Sequence, residues 1–150
     1  MKRYVITAFV VVLFFVIVSC VSVPLRTAKK LVVEICTDVR GYRDYDVAKE
    51  LRPGEEFFVY FEPVMTYKGN VVDVRAVMSI IYPDGSKLDG IIMDGQYRVL
   101  DRNNLYIPVP LIVPIDTPLG IYTVTITMID NYTGKTITGE SKLKVVGLQV

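Results

Sequence analysis

Two hydrophobic patterns divide this 150-residue chain. An almost unbroken apolar run from Tyr4 to Val18 follows the basic start Met1-Lys2-Arg3. From Leu31 onward, apolar and polar residues alternate with a period of two, and β-branched and aromatic residues are frequent. Alternation of this kind is typical of β-strands that bury one face. The pattern therefore predicts an export or anchor segment at 1–19, a tether at 20–30 and an all-β domain at 31–150.

The alternating region predicts six to eight short strands separated by turns. The predicted strands lie at 31–37, 56–62, 71–82, 87–93, 96–100, 105–113, 121–129 and 136–146. Asp94-Gly95 is predicted as a turn between two of them, because Gly accepts turn conformations that other residues avoid. Residues 41–52 predict an irregular charged connection with a short helical turn at 47–51. Pro108 and Pro110 cannot donate to a β-ladder, so we expect their strand at a sheet edge or with those positions unpaired.

Short strands, frequent turns and the lack of a long helical pattern after residue 24 predict a single antiparallel β-sandwich. The run Pro118-Leu119-Gly120-Ile121-Tyr122 resembles the end of immunoglobulin-like and fibronectin-type-III-like domains, since alternating Thr and Val or Ile, a polar hairpin and a closing strand follow it. The resemblance covers roughly 31–146. It implies a tyrosine corner, in which the Tyr122 hydroxyl bonds back to the backbone. The chain has no Trp and no Cys pair at inter-sheet spacing, so it resembles the Ig-like modules of microbial surface proteins rather than antibody domains.

The N-terminal run ends in a motif that is more specific than an export signal. A basic start, an apolar stretch and the small residue Ser19 satisfy the requirements of a signal peptide. Ile17-Val18-Ser19-Cys20 resembles the lipobox of bacterial lipoproteins, in which the cysteine is diacylated and becomes the first mature residue. The resemblance implies cleavage after Ser19 and lipidation of Cys20.

Two other interpretations of this segment stay open. Tyr4 to Val23 holds no charged residue and is long enough, at about 1.5 Å per residue, to cross a hydrocarbon core of roughly 30 Å as an uncleaved anchor. A plain signal peptide would instead release a secreted protein. In the anchored form, Lys2 and Arg3 would stay in the cytoplasm and leave the domain outside. We therefore expect an extracytoplasmic, membrane-anchored protein.

Residue usage narrows the classes of function. Residues 20–150 hold fifteen Lys and Arg against sixteen Asp and Glu without a basic cluster, which argues against a nucleic-acid partner. The absence of His excludes Ser-His-Asp and Cys-His catalysis and most zinc and copper sites. Cys36 has no imidazole to activate it and is interpreted as a buried, inert thiol, although a disulfide with Cys20 is open if Cys20 carries no lipid. We predict no catalytic residue, no metal ligand and no cofactor.

Tyr42 and Tyr45 are the predicted partner contacts. They lie among charged residues in a predicted loop, where tyrosine near arginine often serves recognition. The alternative is that their rings cover the end of the sandwich.

The leading hypothesis is a membrane-tethered, extracytoplasmic Ig-like module with a non-catalytic binding or structural role in the cell envelope and a protein partner there. One alternative is a domain that binds a small ligand, either a solute or glycan at Tyr42, Tyr45 and the nearby acidic residues, or calcium. Asp38, Asp44 and Asp46 are the candidate calcium ligands, although Arg40 and Arg43 in the same loop would oppose a cation. The other is an accessory subunit of an envelope enzyme or transporter. The fold alone does not choose among these, because Ig-like sandwiches host many functions.

Overall fold

The computed structural model describes residues 31–147, which form two four-stranded antiparallel sheets packed face to face. The strands are β1 Val32–Gly41, β2 Asp44–Val47, β3 Glu56–Glu62, β4 Val71–Ile81, β5 Lys87–Arg98, β6 Ile107–Ile112, β7 Gly120–Asp130 and β8 Thr136–Val145. The first sheet has the order β2-β1-β3-β6 and the second has the order β5-β4-β7-β8. The predicted all-β sandwich is therefore confirmed. The predicted signal segment, Cys20 and the rest of the predicted tether all lie outside the described residues.

The alternating pattern builds the core between the two sheets. In β7, the inward side chains Tyr122, Val124 and Ile126 are at most 3% exposed, while the threonines between them are half-buried on the outer face. From the first sheet, Val59 and Phe61 are fully buried in the same core. Burial of apolar surface stabilises this contact by about 25 cal/mol per Å². Within residues 31–147, no helix is long and apolar enough to span a bilayer.

Two predictions of local structure are wrong: the division of β5 into two strands and the helical turn at 47–51. The predicted strands 87–93 and 96–100 are replaced by the single strand β5, which ends at Arg98, because the ladder to β4 continues through Asp94 and Gly95. Gly95 lies opposite Val74 with a φ of 119°, so its conformational freedom serves an irregular strand rather than a turn. The predicted helical turn at 47–51 is also absent from the structure. Its first residue instead ends β2, which pairs with β1 as a hairpin.

The proline-containing strand lies at a sheet edge, as predicted. β6 pairs only with β3 and places Pro108 opposite Tyr60 and Pro110 opposite Phe58. An edge strand can omit donors on its open side, and missing donors there discourage pairing with another chain.

Tyr122 joins β7 to the loop that precedes it. Its hydroxyl donates to the Pro118 carbonyl at 2.6 Å, a bond of the kind that defines a tyrosine corner. The Tyr122 ring packs edge-on against Tyr82, with the ring centroids 5.3 Å apart. Gly120, which lies between Pro118 and Tyr122 in the chain, has a φ of 142°, and a Cβ there would lie 2.7 Å from Cγ of Pro83. The loop and the β4–β5 turn therefore pack closely at this end.

The connections gather at two ends of the sandwich. The strand registers bring together the loops 63–70, 99–106 and 131–135, which we call the loop end. The chain also enters there, because Val32 pairs with Glu62, the last residue of β3. The opposite end carries the connections 48–55, 82–86 and 113–119.

Tyr122→Phe is expected to lower the free energy of unfolding by about 0.5–1.5 kcal/mol, the net contribution of one hydrogen bond. Urea denaturation measures the loss. Tyr82→Phe is the matched control, because it removes a hydroxyl from the neighbouring ring and leaves the bond to Pro118 in place. Equal losses in the two variants would contradict a specific role for this bond.

Candidate functional site

The β1–β2 hairpin, residues 37–46, folds back across the outer face of the first sheet. β1 pairs with β3 only as far as Cys36, and its register with β2 shifts between Cys36 and Asp38. Such a bulge bends a strand and increases its twist. The hairpin tip then reaches β3, where the Arg43 amide donates to the Tyr60 hydroxyl at 3.1 Å.

An ion pair holds the hairpin tip to β3. Arg43 Nε and Nη2 donate to the two carboxylate oxygens of Glu62 at 2.8 and 2.9 Å, a two-pronged geometry that fixes both position and orientation. The Tyr60 hydroxyl donates to the same carboxylate at 3.1 Å. Burial raises the pKa of Tyr60, so its hydroxyl keeps the proton that it donates. These contacts also hold Arg43 at a φ of 56°, a backbone region uncommon for residues other than Gly.

The two tyrosines predicted as partner contacts lie on this hairpin and are half-buried. The Tyr45 ring packs on Tyr60, with centroids 4.5 Å apart, and Tyr60 stacks on Tyr106 at 5.5 Å. The guanidinium of Arg43 lies 5.0 Å from the centroid of the Tyr42 ring. Burial raises the pKa of both Tyr42 and Tyr45. Tyr45 thus covers the sheet, while Tyr42 is held at the hairpin tip beside an arginine.

The three aspartates of the calcium alternative do meet, but they surround an arginine. Arg40 lies 2.8 Å from Asp38, 2.9 Å from Asp44 and 2.8 Å from Asp46. These hydrogen bonds lower the pKa of Asp46. The guanidinium therefore takes the position that a bound cation would need. Within residues 31–147, no group of three or more His, Cys, Asp and Glu side chains is arranged to hold a metal.

Cys36 lies on the outer face of β1, the face that the hairpin covers, and is 0% exposed. Burial raises the pKa of its thiol to about 11, and the nearby charges of Glu34 and Asp46 act in the same direction. The thiolate is the reactive form of cysteine, so this side chain has little nucleophilic character near neutral pH.

The loop end brings together two tyrosine–cation pairs that sequence analysis missed. The Lys68 ammonium lies 4.2 Å from the centroid of the Tyr132 ring, and the Arg102 guanidinium lies 5.0 Å from that of Tyr67. Arg102 also donates to the Asn70 side chain at 2.8 Å and to the Gly69 carbonyl. Each pair joins two different loops, so the three loops are connected to one another.

A buried carboxylate fixes these loops from below. Asp130 is 7% exposed, and its two oxygens accept from the amides of Thr66 at 2.8 Å and Tyr132 at 2.9 Å. Burial by itself would raise the pKa of Asp130, but the hydrogen bonds outweigh it and the pKa is lowered. The charged form of Asp130 is therefore the one that the folded loops favour.

The missed residues carried one weak signal in the sequence, which was their position in the connections between predicted strands. Tyr67-Lys68 lies between two predicted strands, and Arg102 and Tyr132 lie in predicted turns. Each turn resembles an ordinary solvated connection when it is taken alone. Only the register of the strands shows that the three turns share one end of the sandwich.

Comparison with known proteins identifies no family for this chain. No protein-family model matches the sequence, and no curated protein matches it. Among solved structures, the chain is similar to a family 123 glycoside hydrolase from Clostridium perfringens, with a TM-score of 0.38 and 15% sequence identity. The match covers 79% of this chain and 28% of that enzyme. At this level the likeness supports no conclusion about activity.

Glu62→Gln is expected to loosen the hairpin over Cys36. The substitution keeps the side-chain size but removes the charge that Arg43 contacts, and a hydrogen bond to a charged group contributes roughly 1.5–3 kcal/mol. In a Cys20→Ala background, modification of Cys36 by a disulfide reagent should become about tenfold faster or more, since about 1.4 kcal/mol corresponds to a factor of ten.

The control for this measurement is Glu34→Gln. Glu34 raises the pKa of Cys36 electrostatically, but the Arg43–Glu62 pair does not include it. Similar rates for the two variants would show that local charge, rather than the hairpin, controls access to the thiol.

Asp130→Asn is expected to destabilise the protein by about 1–3 kcal/mol at neutral pH, because it weakens the bonds that the buried carboxylate accepts from two backbone amides. The folded-state pKa of Asp130 lies below its ordinary value, so its contribution is present above the unfolded-state pKa and is lost as the pH falls through the folded-state pKa. The difference from the parent protein should therefore shrink below about pH 4. Chemical denaturation across this pH range measures it, and the exposed Asp116→Asn at the opposite end is the control.

Proposed function

We propose that this chain is a non-catalytic recognition module, held at an extracytoplasmic membrane surface through lipid on Cys20, with its loop end as the contact surface. The observation that carries the contact surface is the pairing of Tyr67 and Tyr132 with cations from neighbouring loops. Tyrosine and arginine are enriched among the residues that dominate binding energy at protein surfaces.

The support for recognition lies in how firmly these side chains are held. A tyrosine ring offers a large contact area at low conformational cost, since only two side-chain torsions must be fixed. Asp130 bonds to two of the loops, and the tyrosine–cation pairs connect all three. A surface that is ordered before binding loses less entropy when it binds.

The non-catalytic part of the proposal is supported by the chemistry of the side chains. The sequence holds no His, and the thiol of Cys36 is buried with a raised pKa. A glycan or calcium site receives less support on the hairpin, because the Tyr45 ring already packs on Tyr60 and Arg40 already pairs with the aspartates.

The membrane part of the proposal is supported by the lipobox-like Ile17-Val18-Ser19-Cys20. Stable anchoring by lipid takes two acyl chains or one chain with a basic segment, and a diacylated cysteine meets that requirement.

The intact mass of the protein from its own membrane fraction tests this assignment. We expect a chain that begins at Cys20 and carries lipid, and we expect Cys20→Ala to move the protein out of the detergent phase. A mass that includes Met1 to Ser19 would contradict lipidation and favour an uncleaved anchor. Cys36→Ala is the control, since the lipid is assigned to the other cysteine.

A further inference from the structure

We infer that the loop end docks onto the lipid headgroups of the membrane, so that the module lies with this end against the bilayer. The inference rests on the proposed tether and names the partner of the same surface. In this orientation, anionic headgroups contact the basic residues of the loop end, Lys68, Arg102 and Lys135. Tyr67 and Tyr132 lie at the level of those headgroups.

The topology brings the loop end close to the tether. Val32 pairs with Glu62 at this end, and the chain enters the first strand from there. From Cys20 to Leu31 the chain advances eleven residues, which span at most roughly 36–40 Å when fully extended. The opposite end lies about 35 Å farther away, because the eleven residues of β4 rise about 3.3 Å each. Because the chain enters the sandwich at the loop end, a lipid on Cys20 leaves this end nearest to the bilayer unless the tether is almost fully extended.

The distribution of charge favours the same orientation. Residues 31–147 contain twelve Lys and Arg against sixteen Asp and Glu, a net charge of −4. The three loops have the opposite charge balance. They contain three basic residues, Lys68, Arg102 and Lys135, and one acidic residue, Asp101. Two carboxylates lie beneath these loops: Asp130 is buried, and Asp73 is half-buried and accepts from the Asn131 side chain at 2.6 Å. The tether adds three basic residues and no acidic residue. Basic residues beside a membrane anchor are attracted to anionic lipid.

The tyrosines of the loop end suit the headgroup layer. A tyrosine has an apolar ring and a polar tip, and it is enriched where membranes meet water. Tyr67 and Tyr132 are half-buried, and each carries a cation near its ring face. One contact therefore presents both apolar surface and positive charge to the lipid.

The opposite end combines exposed apolar side chains with an excess of acidic residues. Ile115 is 86% exposed and Leu119 is 58% exposed, but Asp116 lies between them. The three connections at this end, 48–55, 82–86 and 113–119, contain four acidic residues and two basic residues, a net charge of −2. Anionic headgroups would repel this end, and its exposed apolar side chains make it the competing candidate that an experiment must exclude.

The absence of Trp from the chain makes each end measurable by a single fluorescent probe. Tyr132→Trp reports on the loop end and Ile115→Trp on the opposite end. Each full-length variant is purified from its membrane fraction and reconstituted into vesicles of phosphatidylcholine and phosphatidylglycerol that contain brominated lipid. We expect quenching of Tyr132→Trp to exceed that of Ile115→Trp by at least twofold.

Charge is tested in the Tyr132→Trp background. Lys68→Glu with Arg102→Glu should reduce quenching to the level seen in pure phosphatidylcholine vesicles. The same charge change at Lys87 and Lys142, outside the loop end, should leave quenching unchanged. Because Lys68 and Arg102 also contact the loops, a salt titration without charge substitutions provides a second measurement, and added salt should weaken quenching.

The outcomes separate this inference from the proposed function. Greater quenching of Ile115→Trp, or equal quenching at the two ends in a protein that stays with the vesicles, would overturn the docking and leave the tether intact. A chain that does not stay with the vesicles would contradict the tether and the docking together.

Discussion

Burial of β3 on both of its faces is the constraint on which the path of the β1–β2 hairpin depends. Val59 and Phe61 face the core, while Tyr60 and Glu62 lie on the outer face and are almost as inaccessible to solvent. Buried polar groups need hydrogen-bond partners, and an unpaired buried charge is costly. Arg43 supplies those partners from the hairpin tip. The path of the hairpin and the shielding of Cys36 both follow from that requirement.

The β1–β2 hairpin and the loop end are stabilised in the same way. At the hairpin, the carboxylate of Glu62 satisfies a guanidinium and a hydroxyl, and at the loop end the carboxylate of Asp130 satisfies two amides. In each case a nearly buried acid at the end of a strand positions tyrosines that remain partly accessible. Rigid strands thus hold the tyrosines of otherwise irregular loops in place.

Local sequence predicted those parts of the fold that depend only on residues adjacent in the chain. β3 occupies the predicted residues, β7 buries alternate side chains as period-two alternation predicts, and the strand with Pro108 and Pro110 lies at an edge. Period-two alternation and missing donors act at the residues that carry them, so a single sequence shows them. Asp94-Gly95 has the composition of a turn, yet pairing with β4 on both sides outweighs that local preference.

The sequence by itself determined the all-β class, the absence of histidine chemistry and the pattern of inward side chains, because these depend on composition and spacing alone. Only the tertiary structure decided that Lys68 meets Tyr132 and that Arg43 meets Glu62. The partners in these contacts lie on separate loops or strands, and they come together only when strand order and register are set. Tyr42 and Tyr45 could be singled out from their local charge, and their role as partner contacts stays a prediction, while the tyrosine–cation pairs of Tyr67 and Tyr132 required the fold.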